Sequence, residues 1–167
     1  MIGNQLHHLH EENPAVVIQS AVIISKEIRN WCYKLLPENK PVVIEHGPHC
    51  VFDIDRTWTH KMMMGGIYSH AGPLEQHIDD AGNTFGLILI NEGNHRLEVK
   101  EQLWDMPEGS VFHINSDLDH GTQCNEPNGL LMIATIDMYH VDLPQKLTYE
   151  EIGESILQQI QKKMKRN

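Results

Sequence analysis

At 167 residues the chain is long enough for one domain with a buried core and too short for two ordinary ones. Its 40% hydrophobic and 22% charged residues exclude a disordered chain, and 13 Lys and Arg against 23 Asp and Glu give a formal charge of -10. That balance argues against nucleic acid or an anionic membrane as partner, because both need a basic patch, and no apolar run approaches the roughly 20 residues of a membrane span.

In chain order, the start MIGNQLHHLHEENP lacks the apolar stretch of a secretory signal, and its His7, His8 and His10 read as solvated. After Pro14, AVVIQSAVII is a β-branched run that predicts a strand. Ser25 reads as the N-cap of a helix that places Ile28, Trp31, Cys32, Leu35 and Leu36 on one face and ends at Pro37. From about 41 to 140, short apolar segments alternate with Gly, Pro, Asn and Asp clusters, the pattern of an antiparallel sandwich or barrel. Met62, Met63 and Met64 read as core filler, and Trp58 and Tyr68 as candidates for a substrate wall. A capping box at Thr148 and Glu151 then opens a helix over about 148–166, with Ile152, Ile156, Ile160 and Met164 on its apolar stripe. No linker divides this single domain. Cys32, Cys50 and Cys124 fit no disulfide or CxxC pattern, so they are expected to be reduced thiols in a cytoplasmic protein.

Twelve histidines are many for this length. Histidine is the commonest metal ligand, so the question is which of them have ligand spacing. In LEQHIDDAG, His77 and Asp79 form an HxD pair, and on extended backbone residues i and i+2 face one side. Asp80 points the other way. MPEGSVFHINSDLDHGTQCN supplies His120. Two imidazoles and one carboxylate make the facial triad of non-haem Fe(II) oxygenases, which leaves positions open on the metal. No Ser, Cys and His arrangement has the spacing of a nucleophile and its base.

The order of these segments (HxD, an apolar strand, a Pro-x-Gly turn into SVFHIN, then SDLDHGTQCN and GLLMIATID) resembles Fe(II)- and 2-oxoglutarate-dependent dioxygenases. The aspartyl/asparaginyl β-hydroxylase-like branch is the nearest in pattern, over roughly residues 60 to 138. The resemblance implies a mainly β, double-stranded β-helix fold of jelly-roll or cupin-like type, here with N- and C-terminal helices. It implies Fe(II) on His77, Asp79 and His120, with 2-oxoglutarate oxidised to succinate while an amino-acid, peptide or small-metabolite substrate is hydroxylated. Asn125 would stand for the family's asparagine that bonds the co-substrate. By strand phase with Val111 and Asn115, His113 would face the barrel interior near the metal.

The chain departs from that family in one place. Where an arginine about ten residues beyond the distal histidine would pair the far carboxylate of 2-oxoglutarate, this sequence has Asn128, Gly129, Leu130 and Leu131. Arg96 is the candidate substitute, although it shares phase with Glu98 and Lys100 opposite Leu97 and Val99, which favours solvent; Arg56 and Lys61 are further options. PEGSVFHINSDLDH and INEGNHRLEV also resemble the two cupin motifs, although HID stands where the first motif has HxH and a later glutamate. A metal-dependent cupin that works without 2-oxoglutarate (a dioxygenase, isomerase or lyase), or a cupin ligand-binding sensor, is therefore the alternative. A homodimer through an edge strand or terminal helix is an open expectation.

Overall fold

A computed structural model describes residues 16–36, 43–45, 64–79, 82–137 and 148–165. Among these residues lie strands β1 (Val16–Ser20), β2 (Val43–Glu45), β3 (Met64–Ala71), β4 (Leu74–His77), β5 (Asn83–Asn91) and β6 (Arg96–Val99). They are followed by β7 (Gln102–Asp105), β8 (Ser110–Asn115), β9 (His120–Gln123) and β10 (Leu130–Asp137). Helix α1 (Lys26–Lys34) follows β1 and helix α2 (Tyr149–Met164) follows β10. Arg56, Trp58, Lys61, Asp80, Cys50 and the N-terminal histidines fall outside the described residues, as do Met62 and Met63.

From β3 onward the chain passes back and forth between two antiparallel sheets, with the β6–β7 hairpin kept within the smaller one. A six-stranded sheet has the order β1-β8-β5-β10-β3-β2, and a four-stranded sheet the order β4-β9-β6-β7. Strands β3 to β10 thus wind as a double-stranded β-helix, the expected jelly-roll barrel, while β1 and β2 lengthen the edges of the larger sheet.

The larger sheet is the middle of three layers, so its strands are apolar on both faces. Every residue of β5 but Asn91 is buried, which is why TFGLILI shows no alternation. Phe85, Leu87, Val111, Ala134 and Ile136 face the helices and pack with Ile28, Cys32, Ile152, Ile156 and Ile160. Ile88, Phe112, Ile114 and Leu131 face inward and meet Leu97, Val99 and Met106 on the side of the smaller sheet. Gly86 is part of this inner packing: a Cβ there would lie 2.1 Å from Cε2 of Phe112, so the ring occupies the space a side chain would fill.

Both helix starts follow from their caps. Ser25 accepts from Ile28 N at 3.2 Å, and Thr148 accepts from Glu151 N at 3.2 Å. The predicted first strand is shorter than the run AVVIQSAVII. Ladder pairing with β8 stops at Ser20↔Ser110, Ala21 and Val22 then both donate to the Gly109 carbonyl, and the chain turns to cap α1. No described helix is long and apolar enough to cross a membrane.

Candidate metal centre

The smaller sheet brings the three ligand candidates together. His77, the last residue of β4, is the direct partner of His120, the first residue of β9. Close approach at this point depends on Gly121, whose Cβ would lie 2.5 Å from the Leu74 carbonyl oxygen. Asp79 is held just beyond β4 by its backbone N–H, which donates to the Ser116 carbonyl at 2.9 Å. The result is that Nε2 of His120 lies 2.9 Å from Oδ2 of Asp79, and Nε2 of His77 lies 3.5 Å from Oδ1. One ligand atom from each of the three residues lies within 4.8 Å of the others.

Hydrogen bonds on the far side of each ring decide what the near side offers. Nδ1 of His77 is 2.8 Å from the Glu75 carbonyl and Nδ1 of His120 is 2.8 Å from the Leu118 carbonyl. A carbonyl only accepts, so each Nδ1 carries the proton and each Nε2 of the neutral ring presents a bare lone pair. Nε2 of His120 is within hydrogen-bonding distance of Asp79 Oδ2, and a divalent cation taking the place of that hydrogen bond would be ligated by both Nε2 lone pairs and the carboxylate. Second-sphere carbonyls that fix the tautomer are the usual support of ligand histidines. The donor set therefore fits a metal. His120 is buried, whereas the Asp79 side chain is 46% exposed, so the group sits at a mouth and not in a sealed core.

Behind that mouth lies a cavity of about 630 Å³, a volume suited to a small ligand. Leu97, Met106, Phe112, Ile114 and Ile133 form an apolar wall. Tyr68, His70, Thr84, Thr135 and Asp137 contribute polar groups from the larger sheet, facing the triad on the smaller one. Thr84 Oγ1 donates to Asp137 Oδ1 at 2.7 Å. Burial pushes the Asp137 carboxyl above its usual range, and the Asp79 charge adds to that shift, against the opposing effects of Thr84 and His120. Burial likewise holds the His70 imidazole below its usual value, although its hydrogen bond to the Gly72 carbonyl works the other way.

The other expected site residues do not join this group. His113 faces away from the cavity, in a correction to the phase argument: Phe112 and Ile114 point inward, so their neighbour lies under α2. There its ring stacks on Phe85 at 4.1 Å, Nε2 donates to Asn83 Oδ1 at 2.9 Å, and Nδ1 accepts from the Tyr149 hydroxyl at 3.3 Å. Arg96 sits on the face of β6 opposite Leu97 and is not a cavity-lining residue. Asn125 is exposed beyond β9, where its backbone N–H donates to the Gly93 carbonyl. Tyr68 does line the cavity, as expected of a wall residue. The reading from sequence missed His70, Thr84, Thr135 and Asp137. Their signal was strand parity, with Tyr68 for His70, with Ile133 for Thr135 and Asp137 and with Ile88 for Thr84, which is usable only once the inward face is known.

The strand order and the converging ligands define a cupin-like jelly-roll barrel with a candidate metal site. No family model matches the sequence, and no curated protein does. Solved structures are similar in fold. A cupin-2 domain protein of Shewanella frigidimarina is 12% identical at a TM-score of 0.44, covering 65% of this chain and 89% of its own. A cupin superfamily protein of Desulfitobacterium hafniense is 12% identical at 0.44, covering 72% and 96%. A cupin 2 conserved barrel domain protein of Leptotrichia buccalis is 12% identical at 0.44, covering 63% and 45%.

Proposed function

We propose that the chain is a metal-dependent β-helix oxygenase that holds Fe(II) on His77, Asp79 and His120 and takes a small substrate without 2-oxoglutarate. The observation that carries this reading is the convergence of the three ligand atoms within 4.8 Å at the mouth of a roughly 630 Å³ cavity. When bound, iron would supply dioxygen activation at coordination positions the protein leaves open. The chain's own residues do the rest. The Glu75 and Leu118 carbonyls fix both ligand tautomers, the apolar wall excludes water, and the polar groups of the larger sheet orient the substrate.

A second reading, the 2-oxoglutarate hydroxylase, is favoured by the ligand positions at the end of β4 and the start of β9, in the order the sequence resemblance implies. Against it, no Lys or Arg lines the cavity among the described residues. Where the clamping arginine would stand, Leu131 is buried in the inner apolar cluster and Leu130 packs on the helix side. The far carboxylate of 2-oxoglutarate, buried without a cation, would cost roughly several kcal/mol even after relaxation.

Anaerobic addition of Fe(II) and then 2-oxoglutarate separates the readings. The expected result is tight Fe(II) binding that disappears in His77→Ala, with no visible charge-transfer band on adding the co-substrate. A band that appears in the wild type and is lost in His77→Ala establishes the hydroxylase instead. Absence of stoichiometric metal binding removes both.

A further inference from the structure

We propose that the cavity selects substrates bearing an ammonium group, with Asp137 as the anion that receives it across from the metal ligands. Asp137 is carried by β10 in the larger sheet, and the triad by the smaller sheet, yet both line the same cavity. A molecule that fills the cavity can therefore meet both the ligands and Asp137. Its Oδ1 is occupied by the Thr84 hydroxyl at 2.7 Å, which orients the carboxylate without neutralising it. The remaining acids on the wall are Glu75 and Asp79, and the wall contains no Lys or Arg among the described residues.

Glu75, Asp79 and Asp137 together carry three negative charges, so a divalent metal still leaves the wall one negative charge in excess, and of the three only Asp137 is half-buried rather than exposed. An ammonium group is the chemical complement: it donates charge-assisted hydrogen bonds and removes the desolvation penalty of a lone buried anion. Tyr68 and Thr135, on the same wall, add a π-face and a hydroxyl suited to a small cation. A carboxylate-bearing substrate would meet repulsion in the same place. The inference rests on the metal-site reading only in assigning which end of the substrate meets the ligands.

The test uses the full chain loaded with Co(II) and three probes of matched length, 3-aminopropan-1-ol, propane-1,3-diol and 3-hydroxypropanoate, titrated calorimetrically. The expected order is the amine at least about tenfold tighter than the diol, with the anion weakest. In Asp137→Asn the amine and the diol should become equal, whereas Thr84→Val, which keeps the carboxylate, should retain the preference. Far-UV circular dichroism checks that each variant is folded; if Asp137→Asn is not, the wild-type ranking decides. Equal affinity for amine and diol, a preference that survives in Asp137→Asn, or no binding of any probe overturns the proposal. If Co(II) itself does not bind, the oxygenase reading falls. The same titration on metal-free protein then decides the amine preference separately.

Discussion

The Nδ1 atoms of both ligand histidines bond the carbonyl two residues earlier in the chain, Glu75 for His77 and Leu118 for His120. Each ring thus has a structural nitrogen and a functional one, and a substitution can remove the second while keeping the first. In His120→Asn the side-chain amide can still donate to the Leu118 carbonyl, but nothing reaches the position of Nε2. Co(II) or Fe(II) affinity is expected to fall by more than about 100-fold, beyond the usual effect of losing an outer-sphere partner. Urea unfolding of the metal-free variant should change by no more than about 1–2 kcal/mol, the scale of one hydrogen bond and modest repacking. Calorimetric metal titration beside urea unfolding reads both. A variant that kept its affinity would remove His120 from the ligand set.

At the scale of elements, the β6–β7 hairpin shows where local sequence and structure disagree. Val99 pairs with Gln102, so Lys100 and Glu101 alone make the turn, with φ of 48° and 69°. Two successive left-handed residues are the signature of a type I′ turn, which Asn-Gly adopts readily and a Lys-Glu pair does not. The double change Lys100→Asn and Glu101→Gly should therefore stabilise the protein by about 1 kcal/mol, read as a higher urea midpoint. The same mismatch explains why this hairpin was not legible in HRLEVKE: neither residue signals a turn. By contrast, α2 was legible because Thr148 and Glu151 form their cap and Ile152, Ile156 and Ile160 all become core. His77 and Asp79 were legible as a pair from the HxD spacing, although β4 ends at His77 and it is the Ser116 carbonyl that holds Asp79 beside the paired His77 and His120. His113 was misread because SVFHIN is apolar on both faces, and parity alone does not say which face looks inward. Only the layering of two sheets and two helices assigns Phe112 to the cavity and His113 to the α2 side.

Across the whole molecule, the turns between strands are tied together by a second pair of histidines. The Gly129 carbonyl, before β10, accepts from Gly72 N after β3 and from His95 Nε2 before β6. His70 lies edge-on to His95 at 5.3 Å and bonds the Gly72 carbonyl through Nδ1. Three connections thus meet through two imidazoles, and burial holds both rings below their ordinary value of 6.5, against the raising effect of their carbonyl partners. Nδ1 of His95 is buried with no partner among the described residues, so a proton there would be poorly stabilised. The sign follows from linkage. Below about pH 6.5 the unfolded chain takes up protons that the folded rings refuse, so stability falls on acidification, by up to about 1.4 kcal/mol per pH unit for each ring. Asp137 acts in the opposite direction. Its raised folded value means that stability is lost as pH rises from its unfolded value of 3.8 towards the folded one, so it does not mask the histidine slope above that window. In His95→Gln the side-chain amide can still donate to Gly129 but does not titrate. Urea midpoints at pH 7.5, 6.5 and 5.5, measured with chelator so that loss of metal adds nothing, should decline less steeply in this variant than in the wild type. Parallel slopes would place the acid sensitivity elsewhere, and a variant destabilised equally at every pH would assign His95 a packing role alone.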